Sequence, residues 1–489
     1  MHNLHAFSAL ALLLLAALLN ACNGDDDGDG GTGAGPGGEQ GDVPTLTHVS
    51  IDEDLNFLLS SGDELNVPEH RAIALGDTLV FESDVTVLSP GRDYAVEYRG
   101  ESATLYRTPF PVLELDPTGV VEDAAKVPAT FAVAQPGAAA ESYSIGVEYR
   151  GDGQDLAKPT YTFELRESLN SSEEISAPLL GLRDDDDWVL DGMDAEPSSV
   201  RDYGAHELWL GFGRTPMLPA GARGGIGRRY VELFVSGSYR GIYYLAERYD
   251  RKQLQLTRFD NGMQGELYEG DSRSKASSFR IVEAFDNTDN DWSGFEAIYP
   301  SSTDDLDWQP LYDFVDWVVN ATDQDFAAEL TSRVDLDNVV DYFLFVNLLD
   351  ASDNMAKNLY TARQEANAPY YFLPYDLNGI LGLDADGNRV SPTTDIHVNG
   401  LYERLLVQPE FVSALKARWA EASLQALSVD NVADLFEQNI ARLAEAGAYQ
   451  RQNLRSAVPA VDSPGDEAGA IRNAAAIRWA LLDAYIDAL

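Results

Sequence analysis

Cysteine is almost absent from this chain: Cys22 is the only one among 489 residues. A single thiol excludes an intrachain disulfide and a cluster of thiolates around a metal ion. Histidine is also scarce, and the six histidines lie far apart along the sequence. Their spacing matches neither a zinc site nor the HExxH pattern of a metalloprotease. The sequence therefore points away from zinc chemistry.

Two further catalytic motifs are missing. No GxSxG turn is present to carry the serine nucleophile of a hydrolase. The segment Gly224-Gly-Ile-Gly227 is rich in glycine, but it lacks the Lys and the Ser or Thr of a P-loop. It also precedes a predicted strand instead of a helix. We therefore expect no P-loop binding of phosphate at this segment.

Basic residues are few: 34 Lys and Arg stand against 81 Asp and Glu, and the formal net charge is −47. A surface this negative repels nucleic-acid backbones and anionic lipids, so we predict no nucleic-acid partner. Any attachment to a membrane must come from a lipid anchor. A nucleotide would have to be attracted by local basic residues, such as Arg150, Lys158, Arg228 and Arg229.

Long apolar runs are confined to the N-terminus. Residues 9–19 form a short apolar stretch that leads into Leu19-Asn-Ala-Cys22. This order predicts a lipoprotein signal peptide over residues 1–22, with Cys22 as the acylated first residue of the mature chain. The first seven residues lack Lys and Arg, which is atypical, and an ordinary secretory signal is the alternative. We expect a lipid-anchored, extracytoplasmic protein of a bacterial cell envelope.

Composition divides the remaining chain into segments. Residues 23–44 are rich in Gly and Asp, which predicts a disordered, self-repelling tether. Residues 45–107 alternate between apolar and polar side chains, which predicts a small β element. Residues 108–249 show mainly strand patterns with one helix near residues 200–210, whereas residues 250–489 carry helical spacing. The predicted fold class is α+β, with a β-rich lobe followed by a helical lobe.

A stretch rich in Asn and Asp carries the best indication of function. Asp353-Asn-Met-Ala-Lys-Asn358 is followed by a predicted hairpin that leads into Pro374-Tyr-Asp376-Leu-Asn-Gly379. The order is a carboxylate, an Asn five positions later and a second carboxylate at the next strand exit. Kinase-type phosphoryl transfer has its catalytic base and its two metal ligands in the same order. Such transfer needs a proton acceptor and oxygen ligands for Mg²⁺. The alternative interpretation is that these residues only cap helices and turns.

An alternating apolar hairpin supplies a second pattern. Tyr230-Val-Glu-Leu-Phe-Val-Ser-Gly237 is followed by Tyr239-Arg-Gly-Ile-Tyr-Tyr-Leu-Ala-Glu247. This hairpin resembles the signature hairpin of the CotH family, the spore coat protein H kinases. Other segments resemble the same family in the same order, over about residues 108–489. They are residues 110–115, 145–151, 158–166, 179–182 and 186–190, then Arg201, Asp353 and residues 374–376.

The resemblance implies an atypical protein kinase with a two-lobed, kinase-like fold. Such proteins use ATP and a divalent metal, Mg²⁺ or Mn²⁺, to phosphorylate Ser or Thr on partner proteins. Asp353 falls at the catalytic Asp of the family, and Asp376 falls at its metal-binding Asp. Asn358 and Asn378 complete the predicted metal site.

The same resemblance implies a nucleotide site in the β-rich lobe. Lys158 falls in the Pro-Lys-Lys-Ser-Tyr segment of the family, where a strand Lys is expected to reach the nucleotide phosphates. Glu207, on the helix after Arg201, is the predicted partner of Lys158. Arg150 and Glu247 are the other residues predicted to bind nucleotide.

Two departures from the family pattern support an alternative function. The family's Arg-Gly-x-Ser-Ser turn is here Arg150-Gly-Asp-Gly-Gln154, so its hydroxyls are lost and the turn carries the carboxylate of Asp152, which repels phosphate. Asn378 replaces an Asp, although an amide oxygen still binds a cation. The alternative is a catalytically degenerate surface lipoprotein that binds partner proteins or Ca²⁺. Asp384-Ala-Asp386-Gly-Asn388 has the alternating oxygens of a calcium loop but lacks other EF-hand residues, so a plain turn is favoured.

Overall fold

Strands build the first half of the chain, and helices build most of the second half, as the apolar spacing predicts. The computed structural model describes residues 43–123, 125–151, 156–455 and 460–489. The predicted signal peptide with Cys22, most of the predicted tether, and Asp152 lie outside these residues. Residues 43–489 form one compact unit of the α+β class.

The N-terminal strands form a six-stranded sheet in the order β1-β2-β8-β7-β5-β4, in which β2 and β8 run parallel. One face of this sheet buries Leu58 and Leu105. On the other face Phe57 packs against Phe234 and Tyr239 of a later hairpin. The strands are β1 (Val49–Asp52), β2 (Phe57–Ser61), β3 (Leu65–Asn66), β4 (Arg71–Ala74), β5 (Asp77–Phe81), β6 (Val87–Leu88), β7 (Arg92–Tyr98) and β8 (Glu101–Thr108).

A closed barrel follows, with the strand order β10-β11-β12-β15-β17-β16-β9. Its neighbouring strands are antiparallel except for β16 and β9, whose parallel pairing closes the barrel. Helix α1 (Arg201–Phe212) lies between β15 and β16 in sequence. The strands are β9 (Val112–Pro117), β10 (Val127–Ala134), β11 (Glu141–Tyr149), β12 (Tyr161–Arg166), β13 (Ala177–Pro178), β14 (Asp184–Asp185), β15 (Asp187–Asp191), β16 (Arg228–Val235) and β17 (Ser238–Ala246).

The predicted apolar hairpin is confirmed as β16 and β17. Tyr230 pairs with Tyr244 across the two strands. The turn residues Ser236 and Gly237 have φ angles of 50° and 72°. Two consecutive positive φ angles match the twist of a two-residue hairpin turn, which explains the Ser-Gly sequence at this point.

The second half of the described chain combines helices with one five-stranded antiparallel sheet, in the order β19-β20-β18-β21-β22. These strands are β18 (Glu266–Gly270), β19 (Asp291–Trp292), β20 (Phe295–Tyr299), β21 (Leu359–Arg363) and β22 (Tyr371–Pro374). The helices are α2 (Arg251–Leu254), α3 (Gln309–Asn320), α4 (Asp323–Arg333), α5 (Leu336–Leu349), α6 (Gly400–Leu405), α7 (Pro409–Ala422), α8 (Val429–Glu445), α9 (Ala448–Arg455) and α10 (Pro464–Ala488).

Helix α5 is the centre of the helical half. Every residue from Asn338 to Leu349 is buried, as expected for a helix surrounded by others. The helix stops at Asp350, whose φ of 63° turns the chain out of the helix. Across the described ranges, none of the helices has both the length and the apolar character required to cross a bilayer.

A buried ion pair connects the three regions. Arg451 of α9 donates from Nε to Glu232 of β16, at 3.1 Å and 3.3 Å from its two carboxylate oxygens. Thr108 of β8 donates to the same carboxylate at 3.0 Å, and the Tyr239 hydroxyl also donates to it. Both charged side chains are almost fully buried. The N-terminal sheet, the barrel and the helices therefore share one polar contact.

Candidate active site

Two cavities meet at the loop that follows β22. The large cavity has a volume of about 870 Å³ and lies against the 3-10 helix Ser352–Met355. The barrel-side cavity has a volume of about 340 Å³ and is lined by barrel residues and by the start of α1. Both cavities are lined by Asn358, Asp376 and Asn378. The three predicted metal ligands therefore stand on the boundary between the two cavities.

The β21–β22 hairpin brings these residues together. Leu359 pairs with Pro374 in the last register position, and the Tyr375 amide donates to the Asn358 carbonyl at 3.1 Å. Asn358 and Asp376 have φ angles of 59° and 45°. Left-handed backbone is uncommon outside glycine, but Asn and Asp adopt it more readily than other residues, which explains their presence at these two turns.

The side chains of the three residues contact one another. Asn378 donates from Nδ2 to Asp376 Oδ1 at 2.6 Å, and Asn358 Nδ2 lies 3.4 Å from Asp376 Oδ2. Within the described residues, Oδ1 of Asn378 is buried and accepts no hydrogen bond. A buried acceptor without a donor beside a carboxylate fits a hard cation with oxygen ligands. The same ranges hold no group of three His, Cys, Asp or Glu suited to a metal, so the amides are essential to this set.

The environment of Asp376 shifts its protonation. Its side chain is open to the cavities, yet the surrounding protein removes enough hydration to raise its pKa to about 6. The negative charges of Asp202 and Asp191 raise the pKa further, while Arg150 and Lys357 oppose them. A carboxylate held among other carboxylates is stabilised in its charged form by a cation.

Asp353 lines the large cavity but not the barrel-side cavity. Arg273 donates to both of its oxygens, with 2.6 Å between Nε and Oδ1. Arg273 itself is mainly exposed, with 61% of its side chain accessible, against 20% for Asp353. The predicted base therefore lies in the same cavity as the predicted metal ligands, and an exposed guanidinium covers it.

The family model described as CotH kinase protein matches residues 147–480, which is more than half of the chain. The chain belongs to the CotH family. Comparison with curated proteins gives no match. The match begins in β11 and ends in α10, so it contains α1, the signature hairpin and the loops of both cavities.

The structure corrects the predicted pairing of Lys158 with Glu207 in this CotH chain. Lys158 is 4% exposed; its Nζ donates to the Ile242 carbonyl and lies 4.9 Å from the centre of the Tyr243 ring. Glu207 accepts a hydrogen bond from Asn439 of α8 at 2.8 Å instead. In the described part of the chain no ion pair joins Lys158 and Glu207. Burial lowers the pKa of Lys158 to about 7, despite the nearby carboxylates.

The other two residues predicted to bind nucleotide have different surroundings. Arg150 lines the barrel-side cavity, where it lies 4.8 Å from the centre of the Tyr375 ring and donates to the Tyr375 hydroxyl. Glu247 is buried and accepts from the amides of Arg183 at 2.8 Å and Gly227 at 2.9 Å. It lines neither cavity, so its carboxylate stabilises the loops around the hairpin.

Sequence reasoning missed an ion pair at the barrel-side cavity. Arg228, the first residue of β16, lies 2.9 Å from Asp202 in the first turn of α1. Asp202 also accepts from the Leu377 amide at 2.8 Å, directly after Asp376. Arg228 stands out in the sequence only as one of several basic residues. Nothing in the local pattern identifies Asp202 as its partner.

The calcium-loop pattern forms a local turn. Asp384 accepts from the backbone amides of Asp386 at 3.0 Å and Asn388 at 2.8 Å, and from the Asn388 side chain at 3.1 Å. These bonds are typical of a turn stabilised by an Asp side chain. They occupy both oxygens of Asp384, one of the three side chains in the calcium-loop pattern.

Proposed function

We propose that this chain transfers the terminal phosphoryl group of ATP to Ser or Thr hydroxyls of partner proteins. The observation that carries the proposal is the meeting of two cavities at Asn358, Asp376 and Asn378. The barrel-side cavity would hold the nucleotide, and the large cavity would hold the acceptor segment. The phosphoryl group would then pass across the boundary that the two cavities share.

The side chains of the chain have distinct tasks in this proposal. Asn358, Asp376 and Asn378 would hold Mg²⁺ or Mn²⁺, which neutralises phosphate charge when it is bound. Asp353 accepts the proton of the acceptor hydroxyl as the new oxygen–phosphorus bond forms and the bond to ADP breaks. Arg273 must leave at least one oxygen of Asp353 for that proton, and its exposed position allows this movement.

A transfer assay tests the proposal. Purified protein is incubated with ATP labelled at the terminal phosphate, a library of Ser- and Thr-containing peptides, and Mg²⁺ or Mn²⁺. We expect labelled peptide with the wild type and loss of label by at least about a hundredfold in Asp376→Asn, because phosphoryl transfer depends on its metal ligands. Asp304→Asn, an exposed carboxylate outside both cavities, is the matched control. A wild type that labels no peptide and no residue of its own with either metal would refute the kinase function.

Metal binding should depend on pH because Asp376 titrates near neutrality. A cation binds the deprotonated carboxylate, and the pKa of Asp376 is raised to about 6. Affinity for Mn²⁺ should therefore be fully present above pH 7 and fall by about tenfold as the pH is lowered to 5. Calorimetric titration with Mn²⁺ across this range measures the effect. Asp376→Asn should bind Mn²⁺ weakly with no such pH dependence, and an equal slope in the variant would assign the titration to another group.

We also propose that the protein is lipid-anchored through Cys22 outside the cytoplasm of a bacterial cell. The support is the sequence order of an apolar stretch and Leu19-Asn-Ala-Cys22. The high negative charge of the chain makes electrostatic attachment to anionic lipid unfavourable, so a covalent lipid is the attachment that fits. The acceptor in this location would be a protein of the cell surface or envelope.

A further inference from the structure

Arg228 has hydrogen-bond donors that the described residues do not satisfy. Its side chain is 4% exposed, and one end forms the ion pair with Asp202. Nε and Nη1 are buried and have no partner in the described part of the chain. Buried donors of a charged group are costly to leave unpaired, so they indicate that an acceptor occupies this position in the working protein.

Arg228 lines the barrel-side cavity and also a smaller cavity of about 160 Å³ beside α1. The central carbon of its guanidinium lies 5.0 Å from the centre of the Tyr244 ring. Tyr244 and Asp202, which lie against the guanidinium of Arg228, both line the barrel-side cavity, together with Asp376. An acceptor placed there would lie beside the predicted metal ligands. A planar guanidinium with free N–H groups is suited to phosphate oxygens.

We propose that Arg228, held by Asp202, is the residue that contacts the phosphate groups of the nucleotide, the task that the sequence assigns to Lys158. This inference rests on the proposed kinase function. Lys158 is an unsuitable alternative because its ammonium group is buried and already bonded to the Ile242 carbonyl. It lines neither of the two cavities.

Asp202 connects this contact to the metal ligands. One of its oxygens pairs with Arg228, and the other accepts from the Leu377 amide. The Tyr244 hydroxyl also lies 2.5 Å from Asp202. The start of β16, the first turn of α1 and the loop of Asp376 are therefore fixed to one carboxylate. This arrangement sets the distance between a phosphate on Arg228 and a cation on Asp376.

The charge of the barrel-side cavity makes Arg228 important for binding an anion. Among the residues that the structure describes, five carboxylates and two guanidinium groups, those of Arg150 and Arg228, line the cavity. Arg150 already donates to Tyr375. Removal of the Arg228 charge would leave a site that repels polyphosphate. The carboxylates are Asp191, Asp194, Asp202, Asp376 and Glu269.

Nucleotide titrations with the full chain test the inference. Binding of ATP, ADP and adenosine in the presence of Mg²⁺ is measured by calorimetry for wild type, Arg228→Met, Lys158→Met and Arg240→Met. We expect Arg228→Met to weaken ATP and ADP by about 10- to 100-fold, because charged hydrogen bonds to phosphate are lost. Adenosine affinity should change less than about threefold, since no phosphate is present. Arg240→Met, an exposed change of the same type on β17, is the control.

The comparison of nucleotides separates a lost contact from a damaged fold. Arg228→Met leaves the buried carboxylate of Asp202 without its partner. The double variant Arg228→Met with Asp202→Asn is therefore measured as well. Thermal unfolding checks that each variant folds. We expect this double variant to show the same selective loss of ATP and ADP. A selective loss in Lys158→Met, or equal losses for adenosine and ATP in both Arg228 variants, would overturn the inference but not the kinase function. A wild type that binds no nucleotide would overturn both.

Discussion

Asp353→Asn should lower the rate of phosphate transfer by about 10²- to 10⁴-fold, the usual contribution of a general base. The substitution keeps the size of the side chain but removes its ability to accept the hydroxyl proton. ATP affinity should stay within about twofold of wild type, because Asp353 lines the large cavity and not the barrel-side cavity. Single-turnover rates and calorimetric titration with ATP measure the two quantities separately.

Asp376→Asn should give a different result from Asp353→Asn. Asp376→Asn removes the carboxylate that stands on the boundary of both cavities, so it should weaken metal-dependent ATP binding as well as transfer. Asp304→Asn should change neither. An Asp353→Asn protein with an undiminished single-turnover rate would show that another group accepts the proton. A loss of ATP binding in that variant would place Asp353 in the nucleotide site instead.

Arg273 forms an ion pair with Asp353. Because it donates to both oxygens of Asp353, it holds the carboxylate in one orientation. The ion pair is accessible to solvent. An acceptor hydroxyl can therefore replace Arg273 at one oxygen of Asp353, and neither charge is left buried without a partner. In the proposed function, Asp353 would thus be held in place before an acceptor binds.

Local sequence patterns predicted the elements that carry the site. The Ser-Gly sequence at residues 236 and 237 predicted the turn of the β16–β17 hairpin, and helical spacing over residues 250–489 predicted the half that contains α5 and the C-terminal helices. The run from Tyr360 to Leu373 also predicted a hairpin that directs Asp376 back to Asn358, and the structure confirms this hairpin as β21 and β22. Each of these features depends on residues that are close in sequence.

Contacts between remote segments were not predictable in the same way. Lys158 precedes strand β12, and its sequence context does not say whether the side chain points to the cavity or into the closed barrel. The structure directs it to Ile242 and Tyr243. Likewise, the partner of Arg228 depends on how α1 packs against the start of β16. Only the folded chain shows which of its many carboxylates lies there.

Glu232→Gln should destabilise the protein by about 3–5 kcal/mol, the cost of leaving one member of a buried ion pair without its partner. Glutamine has nearly the same size, so the loss comes from the charge and not from a cavity. The remaining Arg451 is fully buried between α9 and the barrel, where it cannot be hydrated. Urea denaturation followed by tryptophan fluorescence measures the change in the free energy of unfolding.

A second substitution shows whether the buried charge is the cause. Adding Arg451→Met to Glu232→Gln removes the unpaired cation, so the double variant should regain part of the lost stability although it has lost both partners. Asp77→Asn, which breaks the exposed pair with Arg99, should cost less than about 1 kcal/mol. If the double variant is less stable than Glu232→Gln, the hydrogen bonds of Arg451 to Thr108 and Ala446 stabilise the junction more than its charge disturbs it. The three regions would then be connected mainly through these bonds, and the junction would tolerate the loss of Glu232 better than that of Arg451.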